Sequence, residues 1–575
     1  MGRISFRDVA GEAIRRGYRR LATDLGGPLR SLNLRSHAIG QFRDIQITNF
    51  SGRKATHDRL LNGHFIYAGQ ELDIGTQGDP WIIQAPSEHF AFWLHSFEWI
   101  DDLLYGQNKQ AVIRARYLVD RWIEIFGGWN AYAWDNDILA ARLFNWTKHW
   151  TPVMSTDDPG DPAAKRRGNI ERQLKRLRNT FGRTPPGMHR LRAAVSLALG
   201  GILVPGDPDK FLNRGLDWLD TEVNTQILAD GGHISRSPAH TVQALHLLIC
   251  LDEALNGSGI EPTRSFQRAL ERLHRLVPFF MYQDAQLACF NGSGQEYPSF
   301  LQALIKHAAE PAKPLTYCPH TGYQRISLGD TLLVVDTGET PPLRHDEDAH
   351  LAPLAFEMST DAGCLIVNCG WSQEQPQSWR NIIRQTAAHS TLCLKDMSAG
   401  RLVKDGLTAK LFENSVAKSV GTVKASRMGQ DSGVWLEMSH HGYQDRTGLE
   451  HRRRLYMKSD GLDIRGEDSL LAPIRFVPMG WDNLHFDIRF HLHPSVRVIL
   501  AQDLRGALLI QSEKVGWKFC TDMGPTRIEE SVYLGTGQRP IKTEQIVISG
   551  QAFAGSDCGT RSNRVRWSIK RLNTK

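Results

Sequence analysis

The spacing of apolar residues changes once along this 575-residue chain, and that change limits the folds it can adopt. Between about residues 50 and 310, segments such as KQAVIRARYLVDRWIEIFGG carry apolar residues at i, i+3, i+4 and i+7, the pattern of amphipathic helices. Glycine and proline clusters such as Pro185-Pro186-Gly187 separate the segments. A succession of helices of this length predicts helix pairs closed into an (α/α) toroid.

After Pro314 the pattern becomes that of β-strands. Segments such as YQRISLGDTLLVVDTG and CLIVNCG gather β-branched and aliphatic residues between turn residues at short intervals. This succession of short strand-like segments predicts an antiparallel β-sandwich. We therefore expect a multidomain α+β protein with an N-terminal helical lead segment at 1–50, the toroid at 51–313 and the sandwich at 314–575. A long cleft is expected where toroid and sandwich meet.

Composition agrees with a folded protein of two or more domains, since 41% of residues are hydrophobic and 23% charged. The net charge of +7 favours a polyanionic partner without naming it. The arginines are scattered and no nucleic-acid-binding motif occurs, so no nucleic-acid partner is expected. The eight cysteines form no CxxC pair and are expected to be reduced and mostly buried.

The N-terminal sequence MGRISFRDVAGEAIRRGYRRLATDL predicts a short basic amphipathic helix. It lacks the apolar core and cleavage site of a secretory signal, and the chain has no apolar run long enough to span a bilayer. We therefore expect no integral membrane segment. The helix either packs on the domain surface or binds a membrane surface.

The stretch from His350 to Leu392 concentrates residues that can do chemistry, with two histidines, two arginines and two tryptophans. Within it, LAFEMS and CLIVNC predict adjacent strands. His389 stands at the entry of a further strand. Arginine's fork geometry suits carboxylate and sulfate groups, so the substrate-binding candidates here are Trp379, Arg380 and Arg384.

The segments HLAPLAFEMS, VNCG and WRNIIRQTAAHSTL resemble the opening of the C-terminal domain of the heparinase II/III family of polysaccharide lyases. The resemblance implies a toroid followed by a β-sandwich. It also implies β-elimination on an acidic, uronate-containing polysaccharide of the heparin, heparan or alginate kind, with no cofactor required. The family implies the cell envelope or periplasm, whereas the missing export signal leaves a cytoplasmic location open.

Some members of that family hold a zinc ion among a histidine, an aspartate and a second histidine. The corresponding positions here are His350, Asn368 and His389. Asparagine is a poor zinc ligand, so a structural zinc and a pair of histidines bonded to backbone groups remain alternatives. Two residues before His350, the family's catalytic histidine is replaced by Asp348.

The resemblance also indicates candidate residues on both domains. The loop from Asp230 enters a helix at Ser237, and the family's catalytic tyrosine is replaced there by Ala239, followed by His240. An H-x-G-Y block ends at Tyr443. The catalytic candidates are His240, His233 and Tyr443, with capping or core roles as the alternative for the histidines. Further substrate-binding candidates are Arg142, Trp146, His189 and Arg236, although His189 follows Met188 where the family has asparagine.

These three replacements leave three functions open. The chain is a lyase, a non-catalytic glycan-binding or envelope-assembly protein, or a glycoside hydrolase. A hydrolase needs paired carboxylates in the cleft, for which the candidates are Asp135, Asp137, Asp230 and Glu296. We also predict a shared interface between toroid and sandwich, lined by His233, Arg236, His240, Arg380 and His389.

Overall fold

The structure, a computed structural model, describes residues 4–5, 7–14, 16, 41–48, 52–154, 162–295, 298–308, 313–394, 397–404, 406–471, 484–552 and 563–572. Helices dominate up to residue 306, and antiparallel strands dominate from residue 317 onward. This order confirms the predicted α+β class. Most of the predicted lead segment at 1–50 lies outside the described residues, but residues 7–14 are helical. No helix within these ranges is long and apolar enough to cross a membrane.

The toroid is built from helices whose starts follow ordinary capping chemistry. Ser87 accepts a hydrogen bond from the backbone N–H of Phe90, and Thr263 accepts one from Phe266. The helices are α1 Lys54–Leu61, α2 Glu88–Ser96, α3 Ile100–Leu103, α4 Lys109–Phe126, α5 Asn136–Lys148, α6 Ala163–Thr180, α7 Met188–Leu203, α8 Leu212–Gln226, α9 Pro238–Gly257, α10 Arg264–Leu276 and α11 Pro298–Lys306.

The segment HFAFWLHSFEWIDDLLYG at 89–106 carries helical apolar spacing throughout, but the structure divides it into α2 and α3. Phe97 ends α2 with a left-handed backbone, at φ 59°. A bulky residue adopts that conformation only when its surroundings enforce it. The buried ring of Phe97 packs against Trp99 and Trp146, with centroids 5.0 and 5.2 Å away. Aromatic packing therefore overrides the helical pattern here.

A β-hairpin interrupts the helical half, where the sequence analysis predicted helices throughout. Strands β1 His64–Tyr67 and β2 Gln70–Asp73 pair antiparallel across a tight turn. Ala68 and Gly69 both have positive φ, 52° and 71°, as the favoured two-residue hairpin turn requires. The turn fixes the position of Tyr67 at the end of β1.

The sandwich consists of two antiparallel sheets within the described residues. One has the order β19-β20-β15-β7-β6-β5-β4-β3, with β8 also paired to β15, and the other has the order β11-β12-β13-β14-β21-β18-β17-β16. A short β9–β10 pair lies apart. The strands are β3 Tyr317–Cys318, β4 Tyr323–Leu328, β5 Thr331–Asp336, β6 Phe356–Thr360, β7 Gly363–Val367, β8 Leu392–Leu394, β9 Arg401–Leu402, β10 Val416–Lys418, β11 Val423–Gln430, β12 Gly433–His440, β13 Glu450–Lys458, β14 Asp463–Leu471, β15 His485–Leu492, β16 Arg497–Leu500, β17 Gly506–Ile510, β18 Gly516–Thr521, β19 Thr526–Tyr533, β20 Ile541–Gln551 and β21 Arg564–Arg571.

The sheet that contains β5 is covered on both faces, which explains its uninterrupted apolar sequence. Every residue of β5 is buried. Leu333 and Val335 join the core between the two sheets, whereas Leu332 and Val334 join the core of the toroid. Alternate side chains of one strand thus serve two cores. This sheet forms the wall between the domains, and the loops at its ends border the cleft.

Candidate functional site

Two adjoining cavities, of about 280 and 340 Å³, lie where the toroid meets the sandwich. The predicted cleft is therefore present, at the small end of the range for ligand sites. Five residues line both cavities and mark the centre of the cleft, and they are Tyr67, Glu98, His240, Gln243 and Gln373.

His240 reaches the cleft from the first turn of α9. Ser237 caps this helix by accepting from the His240 backbone N–H, and Pro238 occupies the first helical position, as predicted. The His240 side chain is 23% exposed, with Nε2 3.5 Å from Oδ2 of Asp348. Its Nδ1 lies 2.8 Å from Oγ of Ser235. The imidazole is held from behind and faces the cavity with Nε2.

Hydrogen bonds behind His240 determine which of its nitrogens carries the proton. The Gln226 amide nitrogen donates to Glu222 and to Gly187, so its oxygen accepts from His233 Nε2, 2.9 Å away. His233 Nδ1 then accepts from the Ser235 hydroxyl at 2.7 Å. That hydroxyl oxygen accepts from His240 Nδ1–H. Neutral His240 therefore presents the lone pair of Nε2 to the cleft, as a base requires.

Burial keeps His240 neutral, and the positive charge beside Asp348 keeps that carboxyl ionised. Burial lowers the pKa of His240 below its ordinary value, and Asp348 only partly opposes this. Burial alone would raise the pKa of Asp348, but Arg380 and His240 lower it below its usual range. Nη2 of Arg380 donates to Oδ1 of Asp348 at 2.7 Å. The replacement of the family's histidine by Asp348 thus places an ion pair where the family has an imidazole.

Of the other two catalytic candidates, His233 lies in the cleft wall but is buried, and Tyr443 lies away from the cleft. His233 is buried, and both ring nitrogens are used by Ser235 and Gln226. Burial lowers its pKa far below the ordinary value, so it stays neutral. Tyr443 lies in the core between the sheets and donates to the carbonyl of Leu392 at 3.1 Å. Neither side chain is placed to exchange a proton with a ligand.

The substrate-binding candidates also divide into residues that line the cleft and residues that do not. His189 and Arg380 line the larger cavity. Arg384 is buried and donates to the carbonyls of Ala349 and Asp346, both at 2.9 Å. Trp379 packs beside the small apolar cluster of Trp371, Ile383 and Leu534. Arg384 and Trp379 thus shape the loop that carries Arg380 rather than the cavity itself.

Arg142 and Trp146 lie inside the toroid, away from both cavities, and both are fully buried. Nε of Arg142 donates to Gln173 at 2.9 Å, and its guanidinium lies 4.0 Å from the ring centroid of Trp122. The Trp146 ring packs edge-on against Trp122 at 5.2 Å. A sugar cannot stack on a ring enclosed in this way, so the structure gives both residues a packing role.

Arg236 joins the toroid to the sandwich. It pairs with Asp336 at the end of β5 and donates to the carbonyls of Thr321 and Glu339, both at 2.7 Å. His233, His240 and Arg380 lie on the neighbouring cleft wall, and Arg236 lies inside the contact between the domains rather than in the cavity. The fifth residue predicted for this interface, His389, does not line either cavity and contacts His350 instead.

Of the three metal candidates, His350 and His389 contact each other, with Nδ1 and Nε2 2.7 Å apart, whereas Asn368 is bonded to other groups. His389 Nδ1 donates to the carbonyl of Gln385, and the backbone N–H groups of Asn291 and Gly292 donate to the two ring nitrogens of His350. Asn368 donates to Glu357 and accepts from the Ser390 N–H. Among the described residues, no group of three histidine, cysteine or acidic side chains could hold a metal ion. The residues therefore fit a hydrogen-bonded network better than a tetrahedral zinc.

Three of the four acids proposed for a hydrolase, Asp135, Asp137 and Asp230, do not line either cavity. Asp135 caps α5, and Asp230 accepts from the N–H groups of His320 and Thr321. Asp137 lies 3.8 Å from His189, and Glu296 is outside the described residues. The cleft has other acids, namely Glu98, Asp101, Asp102, Glu347, Asp348 and Glu374.

Each of the arginines that line the two cavities forms an ion pair within the chain. Glu98 accepts from Arg192 at 3.0 Å, and Asp102 accepts from Nε of Arg53 at 2.9 Å. Glu12 of the N-terminal helix accepts from Arg344 at 2.9 Å. The fourth pair is Arg380 with Asp348. Acidic side chains thus outnumber arginines along the cleft, in contrast to the positive net charge of the chain.

Tyr67, Gln243 and Arg192 are among the cleft residues that were absent from the sequence analysis. Tyr67 could have been found from the Ala68-Gly69 turn between two short alternating segments. Gln243 stands three positions after His240 on a helix and must share its face. Arg192 lies on α7 and carried no signal beyond helical spacing.

Comparison with known proteins agrees with this architecture. Residues 310–568 match the family model "Heparinase II/III-like, C-terminal". FtsZ-localized protein C of Caulobacter vibrioides is 31% identical over 516 residues, covering 89% of this chain and 87% of the relative. The chain belongs to the heparinase II/III family. The resemblance found in the sequence is therefore confirmed, and it extends over both domains.

Solved structures of polysaccharide lyases share the whole fold. Heparinase III superposes with a TM-score of 0.67 at 13% identity, covering 94% of this chain and 88% of that one. A variant of the heparan sulfate lyase of Pedobacter heparinus gives 0.59 at 13% identity, covering 99% and 90%. At such identities the match establishes the toroid-plus-sandwich fold and leaves activity to be argued from the site.

Proposed function

We propose that this protein binds a glycan in the cleft and does not cleave polyuronates by elimination. The observation that carries the proposal is the pairing of every arginine lining the two cavities with a carboxylate of the chain itself. A uronate lyase must offset its substrate's carboxylate while negative charge develops beside it. Here a substrate carboxylate would have to displace Asp348, Glu98 or Asp102. The absence of a side-chain hydroxyl at Ala239 supports the same conclusion.

The similarity to FtsZ-localized protein C supports a cellular context for this binding protein. The two chains align over nearly their full lengths, so the comparison includes the cleft and both domains. We propose that this protein also localises with FtsZ. Such a location favours the compartment where FtsZ assembles over the periplasm or cell envelope.

A fluorescent fusion to the C-terminus tests this location. Expressed at native level beside labelled FtsZ, the fusion is expected to follow FtsZ through the cell cycle. The fluorescent protein alone is the control. A fusion distributed as uniformly as that control, while FtsZ shows its normal pattern, would contradict the proposal.

A lyase remains the second candidate function, and the proton arrangement of His240 favours it. Nε2 would take the proton from the carbon beside the uronate carboxylate, and that electron pair would form the C=C bond as the C–O bond to the next sugar breaks. His240 would then return the proton to the departing oxygen. The substrate for this candidate is an acidic polysaccharide of the heparin, heparan or alginate kind.

An absorbance assay separates the two candidates, because only elimination creates the conjugated double bond of an unsaturated uronate. We expect no rise in ultraviolet absorbance with heparin, heparan sulfate or alginate, under conditions where an active heparin lyase gives one. A rise would establish the lyase instead. His240→Ala should then lower the rate by about a hundred- to ten-thousand-fold while the melting temperature stays unchanged.

A further inference from the structure

The arginines of the cleft and its neutral polar groups differ in whether they are already bonded within the protein, and this difference identifies the ligand class. The arginines are all engaged in ion pairs. By contrast, the hydroxyl of Tyr67 and the side-chain amides of Gln243 and Gln373 make no hydrogen bond with any described residue. All three residues line both cavities. The cleft therefore offers a ligand these neutral groups, together with the carboxylate of Glu347 in the larger cavity.

We propose that the cleft binds an uncharged oligosaccharide, an inference that rests on the proposed glycan-binding function and specifies its ligand. Sugar hydroxyls both donate and accept hydrogen bonds, as do a phenol and a carboxamide. A ligand carboxylate or sulfate would find only neutral donors free to bind it here, and it would face an excess of carboxylates.

Three separate elements bring the neutral groups together. Gln243 follows His240 by three positions on α9, so the two side chains share one face of the helix. Tyr67 comes from the β1–β2 hairpin of the toroid, and Gln373 from the loop after β7 of the sandwich. A ligand at the shared centre would contact both domains.

Aromatic rings give this centre an apolar surface suited to the C–H face of a pyranose. The ring of Tyr67 stacks on Trp93 with centroids 5.0 Å apart and planes within 2°. Trp93, Phe300 and Trp371 line the smaller cavity. Apolar walls with a few convergent polar groups are the usual composition of sites for neutral ligands.

Electrostatics makes the hydroxyl of Tyr67 a hydrogen-bonding group rather than an acid. Burial raises its pKa well above the ordinary value, and Glu98 and Glu374 raise it further. Tyr67 therefore stays neutral at every pH at which the protein would function. Its hydroxyl can donate to one sugar oxygen and accept from another.

Calorimetric titration of the full chain tests the inference. The neutral probes are the tetramer of β-1,4-linked N-acetylglucosamine and cellotetraose, and the acidic probe is a heparin tetrasaccharide. We expect at least one neutral tetramer to bind, with an affinity that changes little between low and high salt, since no ion pair forms. Stronger binding of cellotetraose would show hydroxyl recognition, and stronger binding of the acetylated tetramer would show recognition of the amide, both within the proposed class.

Two conservative variants connect binding to the cleft. Tyr67→Phe removes one hydroxyl and keeps the ring, and Gln243→Ala removes the amide. Each should weaken the neutral sugar about 3- to 10-fold, the effect of losing one neutral hydrogen bond. The matched controls are Tyr117→Phe on α4 and Gln430→Ala on β11, both exposed and away from the cleft, and they should bind like the parent.

Two results would overturn the inference. One is failure of both neutral tetramers to bind, and the other is equal binding by the parent and both cleft variants. If only the heparin tetrasaccharide binds, and more weakly as salt rises, the ligand class is wrong while glycan binding stands. If none of the three probes binds, the glycan-binding function fails together with the inference.

Discussion

Replacing Arg236 by methionine is expected to lower the free energy of unfolding by about 3–5 kcal/mol, the cost of removing one partner from a buried ion pair. Arg236 and Asp336 have side chains that are 8% and 6% exposed. The guanidinium also donates to the carbonyls of Thr321 and Glu339. Methionine fills a similar volume but leaves the carboxylate and these carbonyls without their donor.

The backbone at Arg236 does not complicate this comparison. Its φ is 61°, in the left-handed region, and methionine would bear about the same cost there as arginine. Asp336 can be neutralised in turn. Asp336→Asn, combined with Arg236→Met, should recover part of the loss because it removes the uncompensated buried charge.

Urea unfolding followed by circular dichroism measures the effect. Arg527→Met is the matched control, since Arg527 also pairs with a carboxylate, Glu529 at 3.0 Å, but is 48% exposed. An exposed pair contributes about 0–1 kcal/mol. A loss of this small size for Arg236→Met would show that the contact between toroid and sandwich does not depend on the pair.

The fold could be predicted from the sequence where one core determines the pattern. The helices α4 and α10 show the expected apolar spacing because each buries one side in the toroid. The continuous apolar run of β5 follows from burial on both faces of its sheet. Prediction failed at Phe97 and at the β1–β2 hairpin. Aromatic packing ends a helix at the first, a two-residue turn reverses the chain at the second, and neither changes the apolar spacing that indicates a helix.

The site could be predicted only in part, because sequence identifies chemical groups but not their partners. Of the candidate residues, His240, His189 and Arg380 line one cavity in the structure. Arg142 and Trp146 have the same residue types as sugar-binding groups, yet they fill the toroid core. The pairing of Arg192 with Glu98 connects residues nearly a hundred positions apart. Nothing in either local sequence indicates that pair, and such pairs decide which ligands the cleft accepts.

Acidification is expected to produce a large second effect, a steep loss of stability as the pH falls from about 6.5, the ordinary pKa of histidine, toward the lowered pKa of buried histidines. His389 and His491 are buried, and burial lowers their pKa to about 4 and about 3. Their neutral forms are fully bonded. His491 Nε2 donates to the carbonyl of Ala387 at 3.0 Å, and its Nδ1 lies 2.7 Å from the Ser531 hydroxyl.

The direction follows from proton binding. Below about pH 6.5 the unfolded chain binds a proton at each histidine that the folded chain does not, so acid favours unfolding. The contribution of each buried histidine to the free energy of unfolding is complete above that pH, and it is lost as the pH falls toward the pKa of that histidine in the folded protein. Each such histidine steepens the loss by about 1.4 kcal/mol per pH unit within this window. The positive charge of Arg489 also lowers the pKa of His491.

Urea titrations at half-unit steps from about pH 7.5 to about pH 4.5 would measure the slope across this window. The variant His491→Gln keeps an amide that can donate to Ala387 and an oxygen that can accept from Ser531, but it cannot titrate. Its slope near pH 5 should be shallower than that of the parent by about 1.4 kcal/mol per pH unit, the contribution of one proton. His64→Gln is the control for the substitution itself, because His64 is 40% exposed on β1. Equal slopes for parent and His491→Gln would mean that His491 already binds a proton in the folded protein at that pH, contrary to the burial that holds it neutral.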